Sequence, residues 1–473
     1  MKMRCAGILV LLILAGLVAA GCTDSGQQGP PAPTSPTTTV PPAQAAVAKT
    51  TTADLTKIVN EAVAFAKTNG KEKAIAAFND PEGQFVRGDV YVFAEAYDGT
   101  ALAEPFEPEI VGTNIRNLTD RYGVELVKNL EETAGYGIGY VSYEYPNHKN
   151  NGTVEHKVSV VADVDGTYYV GAGIYESSGL VYPSTALGAP TRTYSVADLT
   201  GFVQRAVAYA QANGEEKAMA AFSNRSGEFV DGEMTIMMLD YNGTVLASSL
   251  SPELPSNHIN LINYHDPDGV ATIREMRDLA RDGGGFIYTV TRVSAGGKTI
   301  DIPKIDYAEP VDGRYWLFSG IIVPGYEQLR TGNLTGIMVR NHTRAEAYDL
   351  VGEAAGYAAE NGREKALEEI NNPAGRFTQG DLFVWAETSD GTILADPYWK
   401  ESIGKNYLNY TDPYGAKTTA GSLNVVKRGQ GFTGAMFPDT AAGNSAPVIK
   451  LLYLKKIDED WWIGTGIYGI AVR

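Results

Sequence analysis

Asn114, Asn260 and Asn406 recur at a constant step of 146 residues, as do Asp120, Asp266 and Asp412, and Gly139, Gly285 and Gly431. Solenoid repeats have periods of ~20–50 residues, so a step this long marks copies large enough to be domains with cores of their own. The 473 residues therefore read as three units in a row, with expected limits of 51–183, 195–328 and 343–473.

The start of the chain has a different character. Lys2 and Arg4 precede an apolar run from Ala6 to Ala20, followed by Gly21-Cys22. A charged n-region, an apolar h-region and a small-residue boundary make an export signal. The segment Ala19-Ala20-Gly21-Cys22 resembles the prokaryotic lipobox, with Ala19 where Leu is usual. The resemblance implies a signal peptide over 1–21, a lipid on Cys22 and an anchor on the extracytoplasmic face of the membrane. Plain secretion and an uncleaved anchor helix are the alternatives. Cys5 would leave with the signal, so Cys22 is the one mature cysteine and no intrachain disulfide is expected. Residues 22–50, rich in Pro and Thr, lack the large apolar groups that would offset ordering, and read as a disordered tether.

Within the net charge of −17, residues 51–176 carry −10, 195–326 carry −7 and 343–473 carry −4, the remaining stretches being net positive. No unit carries the basic stripe that nucleic-acid binding needs. Seven Asn-x-Ser/Thr sequons are compatible with a glycosylated surface protein, each being weak evidence.

Each unit opens on a capping box: Thr51 with Asp54, Ser195 with Asp198, Thr343 with Glu346. Apolar residues follow at helical spacing (Leu55, Ile58, Val59, Ala62), and the helix is expected to stop at Asn69-Gly70 and its counterparts. After a shorter helix, Val90-Tyr91-Val92-Phe93-Ala94 reads as a strand turning at Asp98-Gly99, with counterparts at Asn242-Gly243 and Asp390-Gly391. These dipeptides favour type I′ hairpins. A loop with a short helix and a second hairpin complete the unit. The expectation is an α+β fold in which a long N-terminal helix packs on an antiparallel sheet.

The run Gly88-Asp89-Val90-Tyr91-Val92-Phe93-Ala94, with Asp98-Gly99 and Leu102-Ala103-Glu104-Pro105, resembles the single Cache domain. Asp120-Arg121-Tyr122-Gly123, Gly139-Tyr140-Val141-Ser142-Tyr143 and Gly171-Ala172-Gly173-Ile174-Tyr175 extend the likeness through the unit. The third copy repeats most of it. The second diverges, ending Ser319-Gly320-Ile321-Ile322 without the final Tyr. The resemblance implies three tandem PAS-like, extracytoplasmic sensor modules that bind small molecules, often organic acids or amines.

Lys157, Lys304 and Lys450 each stand eight residues before an acidic turn residue, on the strand entering the last hairpin. Lys157 and Lys450 are candidates to meet a ligand carboxylate in a sheet-lined pocket; an edge-strand lysine that blunts aggregation is the alternative. Asn114 and Asn406 would either face that pocket or close an Asx-turn. Tyr91, Phe93, Tyr140 and Tyr143 are candidate pocket walls, with core packing the default for strand aromatics. Asp120, Asp266 and Asp412 are expected to cap the helix that follows, since Pro stands after two of them. Tyr143 corresponds to Thr289 and Ala435, and Glu104 to Ser248 and Asp396, where the family often has His, so the three units would not share one ligand. The first copy is nearest the family pattern and is the expected primary site.

No metalloprotease, nucleophile-elbow, P-loop or paired-Cys motif occurs, and the five His have no repeated spacing. Neither catalysis, a metal nor a cofactor is expected. The sequence points to a lipid-anchored, extracytoplasmic protein that binds small organic acids or similar metabolites. With no second span, coiled coil or kinase segment in the chain, it would act through a membrane signalling or transport partner. The competing expectation is a surface spacer or adhesion array whose pockets no longer bind.

Overall fold

Each long helix begins at the capping box its sequence predicts. Thr51, Ser195 and Thr343 accept from the N3 backbone amide, and the N3 carboxylate returns to the cap amide. The helices Thr52–Asn69, Val196–Asn213 and Arg344–Asn361 end at a glycine with φ of 81–84°, a conformation costly for any residue with a Cβ. The computed structural model describes residues 51–178, 192–439, 441, 443 and 446–473. The signal peptide 1–21, the lipidation site Cys22, the tether 22–50 and the last residues assigned to the first unit lie outside the described residues. Among those described, no helix is long and apolar enough to cross a membrane.

Three main sheets, each antiparallel among the strands of its own segment, follow the three helices, with two further two-stranded ribbons. In the first, the strands run Val90–Ala96, Tyr168–Tyr175, Thr153–Asp163, Ile138–Asn147 in spatial order, and Ala101–Ala103 pairs with the outer edge of Val90–Ala96. The second and third sheets repeat this order, with Lys298–Pro310 and Pro447–Lys456 in the place of Thr153–Asp163. The long helix covers one face: Leu55, Val59 and Ala62 bury against Val158, Val160 and Val170. A ten-residue helix covers the other, Leu126–Gly135 in the first segment and Thr418–Lys427 in the third. Sheet alternation sends odd and even positions of each strand to these two different layers.

The first hairpins differ from the type I′ expectation. That turn needs positive φ at both central residues, whereas only Gly99, Gly243 and Gly391 have it; among the described residues, Asn151 and His258 are the non-glycine cases. Gly99 N donates to Ala96 O, and a bulge at Ala94/Glu95 absorbs the extra residue, the geometry of a type I turn closed by glycine. The period-146 asparagines hold this turn from outside. Nδ2 of Asn114, Asn260 and Asn406 donates to the carbonyl of Asp98, Asn242 and Asp390 at 2.7–2.9 Å.

The recurring aspartates also differ from expectation. The following helices start six residues later, at Leu126, Thr272 and Thr418, with no side-chain cap. Asp120 Oδ1 instead accepts from the Tyr122 and Val124 amides, and Oδ2 from the Glu144 amide on a neighbouring strand. Asp266 does the same with Asp268, Val270 and Val290. A carboxylate has enough acceptor sites to fold its own loop and pin it to the sheet, and that use displaced capping.

The segments interlock. Ile259–Asn263 of the second adds in parallel to strand Ile138–Asn147 of the first, where Gly139 is required: a Cβ there would lie 2.3 Å from Asn260 O. Arg340 makes a double ion pair with Asp268 at 2.6 and 2.7 Å. Arg344, the first residue of the third long helix, reaches Glu144 of the first segment at 2.7 Å and lies over the Tyr122 ring. Replacing Asp268 by Ala would leave Arg340 buried without its partner. The expected loss is about 3–5 kcal/mol of stability, measured by urea denaturation, with partial recovery in the Asp268→Ala/Arg340→Met pair.

Candidate functional site

Strand register places one lysine near the middle of each sheet. Lys157 lies between Tyr143 and Tyr175, Lys304 between Thr289 and Ile322, and Lys450 between Ala435 and Tyr468. These are central strands, so the edge-strand alternative does not apply. Lys157 and Lys450 are only 2% and 4% exposed. Their side chains point away from the long helix, into the layer covered by the short one.

Burying an ammonium without a counter-charge is costly unless other groups solvate it. Lys157 Nζ donates to Tyr91 Oη at 3.0 Å and lies 4.6, 5.0 and 4.9 Å from the Tyr91, Tyr145 and Tyr175 ring centres. Burial works against its charge, but the surrounding tyrosine oxygens and Glu104 outweigh that effect and hold its pKa above the ordinary value. Lys450 Nζ donates to Tyr468 Oη at 3.1 Å and stands 4.2 Å from the centre of that ring, 4.8 Å from Phe383 and 5.4 Å from Trp385. Such cation–π contacts are worth up to ~2 kcal/mol when desolvated. Among the described residues, neither lysine makes an ion pair. Lys304 differs: Asp306 stands 3.0 Å away on the same strand and neutralises it.

Two carboxyls join each free lysine. Burial lifts Glu95 to about 7 and Glu104 to about 8, the latter against the pull of Lys157. In the third segment burial lifts Glu387 to about 8 and raises Asp396, whose Oδ1 accepts from the Tyr398 and Trp399 amides. Glu104 Oε1 and Glu387 Oε2 are buried with no hydrogen bond. Small cavities open beside these groups, about 20 Å³ in the first segment, 60 Å³ in the second and 60 Å³ in the third. The roomier of the two cavities with an unpaired lysine is thus in the third segment, not the first. Among the described residues, no group of three or more His, Cys, Asp or Glu is arranged to hold a metal ion.

The structure brings together Phe93, Tyr143 and Lys157 at the first cavity, with Tyr91 bonded to the lysine behind it. Lys450 lines the third. Tyr140 does not join them: it faces the long helix, 3.3 Å from Thr56 Oγ1. It stands three positions before Tyr143, an odd step, and alternation puts the two on opposite faces. Asn114 and Asn406 are likewise removed from the cavities, held in the turns they close. Sequence reasoning missed Glu95 and Glu387, whose signal was an acidic residue recurring inside an apolar strand. It also missed Trp399, Tyr407 and Tyr410, which belong to a loop with no strand periodicity.

Titration of the buried acids gives a signed prediction. Between about 4.5 and about 8, Glu104 and Glu387 hold a proton in the folded state that the unfolded state has released. The folded state then binds more protons, so stability falls as pH rises across that window. Relative to the parent, Glu104→Gln and Glu387→Gln should gain on the order of 1–3 kcal/mol from pH 5 to pH 8.5. Thermal unfolding across that range checks it, and a gain that does not change with pH would contradict the assignment.

The family model described as "Single Cache domain 2" matches residues 43–178 and 346–470, the two segments whose lysines have no acid partner. No curated protein matches the chain. Among solved structures it is similar to a methyl-accepting chemotaxis protein from Vibrio parahaemolyticus, at 19% identity over 26% of this chain and 87% of that one, TM-score 0.24. A periplasmic sensor domain of a chemotaxis protein is 25% identical over 26% of this chain and 88% of that one, TM-score 0.22. A Pseudomonas fluorescens chemoreceptor ligand-binding domain solved with L-isoleucine is 12% identical over 56% and 82%, TM-score 0.15. The assignment rests on the family match, which spans more than half of the sequence: the chain belongs to the single Cache domain 2 family.

Proposed function

We propose that this is an extracytoplasmic small-molecule sensor, lipid-anchored through Cys22, with three Cache-like domains over 51–183, 195–328 and 343–473. The observation that carries the reading is the buried lysine of the two family-matched segments. Each has hydrogen-bond and ring partners but no carboxylate in ion-pair contact among the described residues, and each stands beside a cavity. A ligand carboxylate would supply the missing counter-charge in a site already desolvated, where charge-assisted hydrogen bonds are strongest. The ligands are therefore small organic acids or related metabolites, and the protein passes on occupancy through a membrane signalling or transport partner.

A spacer role has specific support in the middle segment alone. There Asp306 occupies the position a ligand acid would take, and the wall opposite Lys304 is Ile322. We assign that domain to joining the outer two.

Titration of the purified full-length protein with a panel of small carboxylic acids tests the reading. Lys157→Met and Lys450→Met should each weaken binding at one cavity by about 10- to 100-fold, the value of one charge-assisted hydrogen bond. Their combination should abolish saturable binding. No saturable binding in the parent protein across the panel would leave the spacer reading for the whole chain. Anchoring is separable: Cys22→Ser should move the protein from the membrane to the soluble fraction on cell fractionation, and unchanged membrane retention would reject the lipid.

A further inference from the structure

A tight turn in the same place rims the cavity of each segment. It is closed from Leu118 N to Ile115 O at 2.8 Å, from Tyr264 N to Leu261 O at 3.0 Å and from Tyr410 N to Tyr407 O at 2.9 Å. The first and last residues of each turn line the cavity. The third residue is asparagine every time: Asn117, Asn263 and Asn409.

These three asparagines meet two fates. Asn263 is 1% exposed and lies in the joint with the first segment, where its Nδ2 donates to Asn129 O, Glu132 Oε2 and Thr133 Oγ1 at 3.0–3.2 Å. His265 stands two residues after it. Asn117 and Asn409 are exposed, and their side chains make no hydrogen bond among the described residues. Two residues after each stands an exposed threonine, Thr119 or Thr411. At this turn, therefore, the Asn-x-Thr acceptor signal is present where the amide is free and absent where packing has used it.

Exposure also separates the signal from chance. All seven asparagines in Asn-x-Ser/Thr sequences are exposed, against six of the other sixteen among the described residues. Random occurrence would spread the signal over buried and exposed asparagines alike, whereas an acceptor has to be reached from outside. Of the seven, Asn117 and Asn409 are the pair that the repeat relates, 292 residues apart.

We propose that Asn117 and Asn409 are N-glycosylated, so that each outer cavity carries a sugar chain at its rim and the middle one carries none. The donor is an oligosaccharide held on a membrane polyprenyl phosphate or diphosphate. Asn Nδ2 bonds to the anomeric carbon of the sugar while the bond from that carbon to the lipid phosphate oxygen breaks. The lipid phosphate leaves with the electron pair, and one Nδ2 proton passes to solvent. This rests on the extracytoplasmic placement proposed above, the side of the membrane on which such sugars are transferred.

Peptide mapping by mass spectrometry of the full-length protein, purified from the membranes of its own cells, tests it. The peptides containing Asn117 and Asn409 should carry saccharide mass, and the peptide containing Asn263 none. Thr119→Val and Thr411→Val leave both asparagines in place but remove the signal, and each should take one glycan from the intact mass. Thr119→Ser, which restores the hydroxyl, should keep it. Either peptide found wholly at its unmodified mass, in protein that has lost residues 1–21, overturns the inference while the extracytoplasmic placement stands. A glycan that persists at its asparagine in the Val variants overturns it as well. Protein that retains residues 1–21 and stays in the cytoplasm removes the placement and this inference together.

Discussion

A lysine ammonium buried at the centre of an antiparallel sheet, without an acid to neutralise it, is the constraint around which the outer segments are organised. Its charge cannot be hydrated there, so the neighbours supply what water would. A phenol oxygen accepts a hydrogen bond from it, rings present their negative faces, and nearby glutamates keep their protons because a further buried charge is costly. The middle segment solves the same problem by placing Asp306 two residues along the same strand. That solution is self-sufficient and leaves no electrostatic demand for a ligand. One fold thus holds the same position in two ways, solvated by phenols and rings in the outer segments and paired with an acid in the middle one.

The cavities are tied into the packing of the three segments against one another. The short helix that walls the first cavity with Leu126 and Leu130 also carries Glu132, which holds Arg274 of the middle segment at 2.9 Å. The helix that walls the third with Thr418 and Ser422 leads into Arg428, which pairs with Glu275 and Asp278 of the same middle segment. The middle segment therefore grips one wall of each outer site. The shared strand at Gly139 and the Arg344–Glu144 pair close the arrangement, joining the first segment to both of the others.

Much of the scaffold was legible in the chain because its determinants are local. A hydroxyl and an acid three residues apart make a capping box wherever a helix follows, and Asn-Gly marks the end of that helix by steric permission alone. Where local signals served two possible purposes, the reading failed. Asp266-Pro267 suits a helix cap, but its carboxylate is spent on its own loop and on the Val290 amide 24 residues away. Asn114 could have faced a ligand, yet the carbonyl of Asp98 was nearer. Tyr140 and Tyr143 look equivalent as strand aromatics, and only their parity on the strand sends one toward the long helix and one to the cavity.

By itself the sequence determined the repeat, the α+β unit, the strand that carries each lysine and the positions at which the copies differ, because periodicity and short-range hydrogen bonding are written in neighbouring residues. Tertiary structure alone decided that Tyr143, Thr289 and Ala435 are the residues directly across from those lysines. It also decided that Glu95 and Glu387 share their layer, and that Lys304 is spoken for by Asp306. Those facts depend on register between strands and on burial. Both are set by how segments far apart in the chain pack together, and no local pattern records the free energy of a charge that packing has taken out of water.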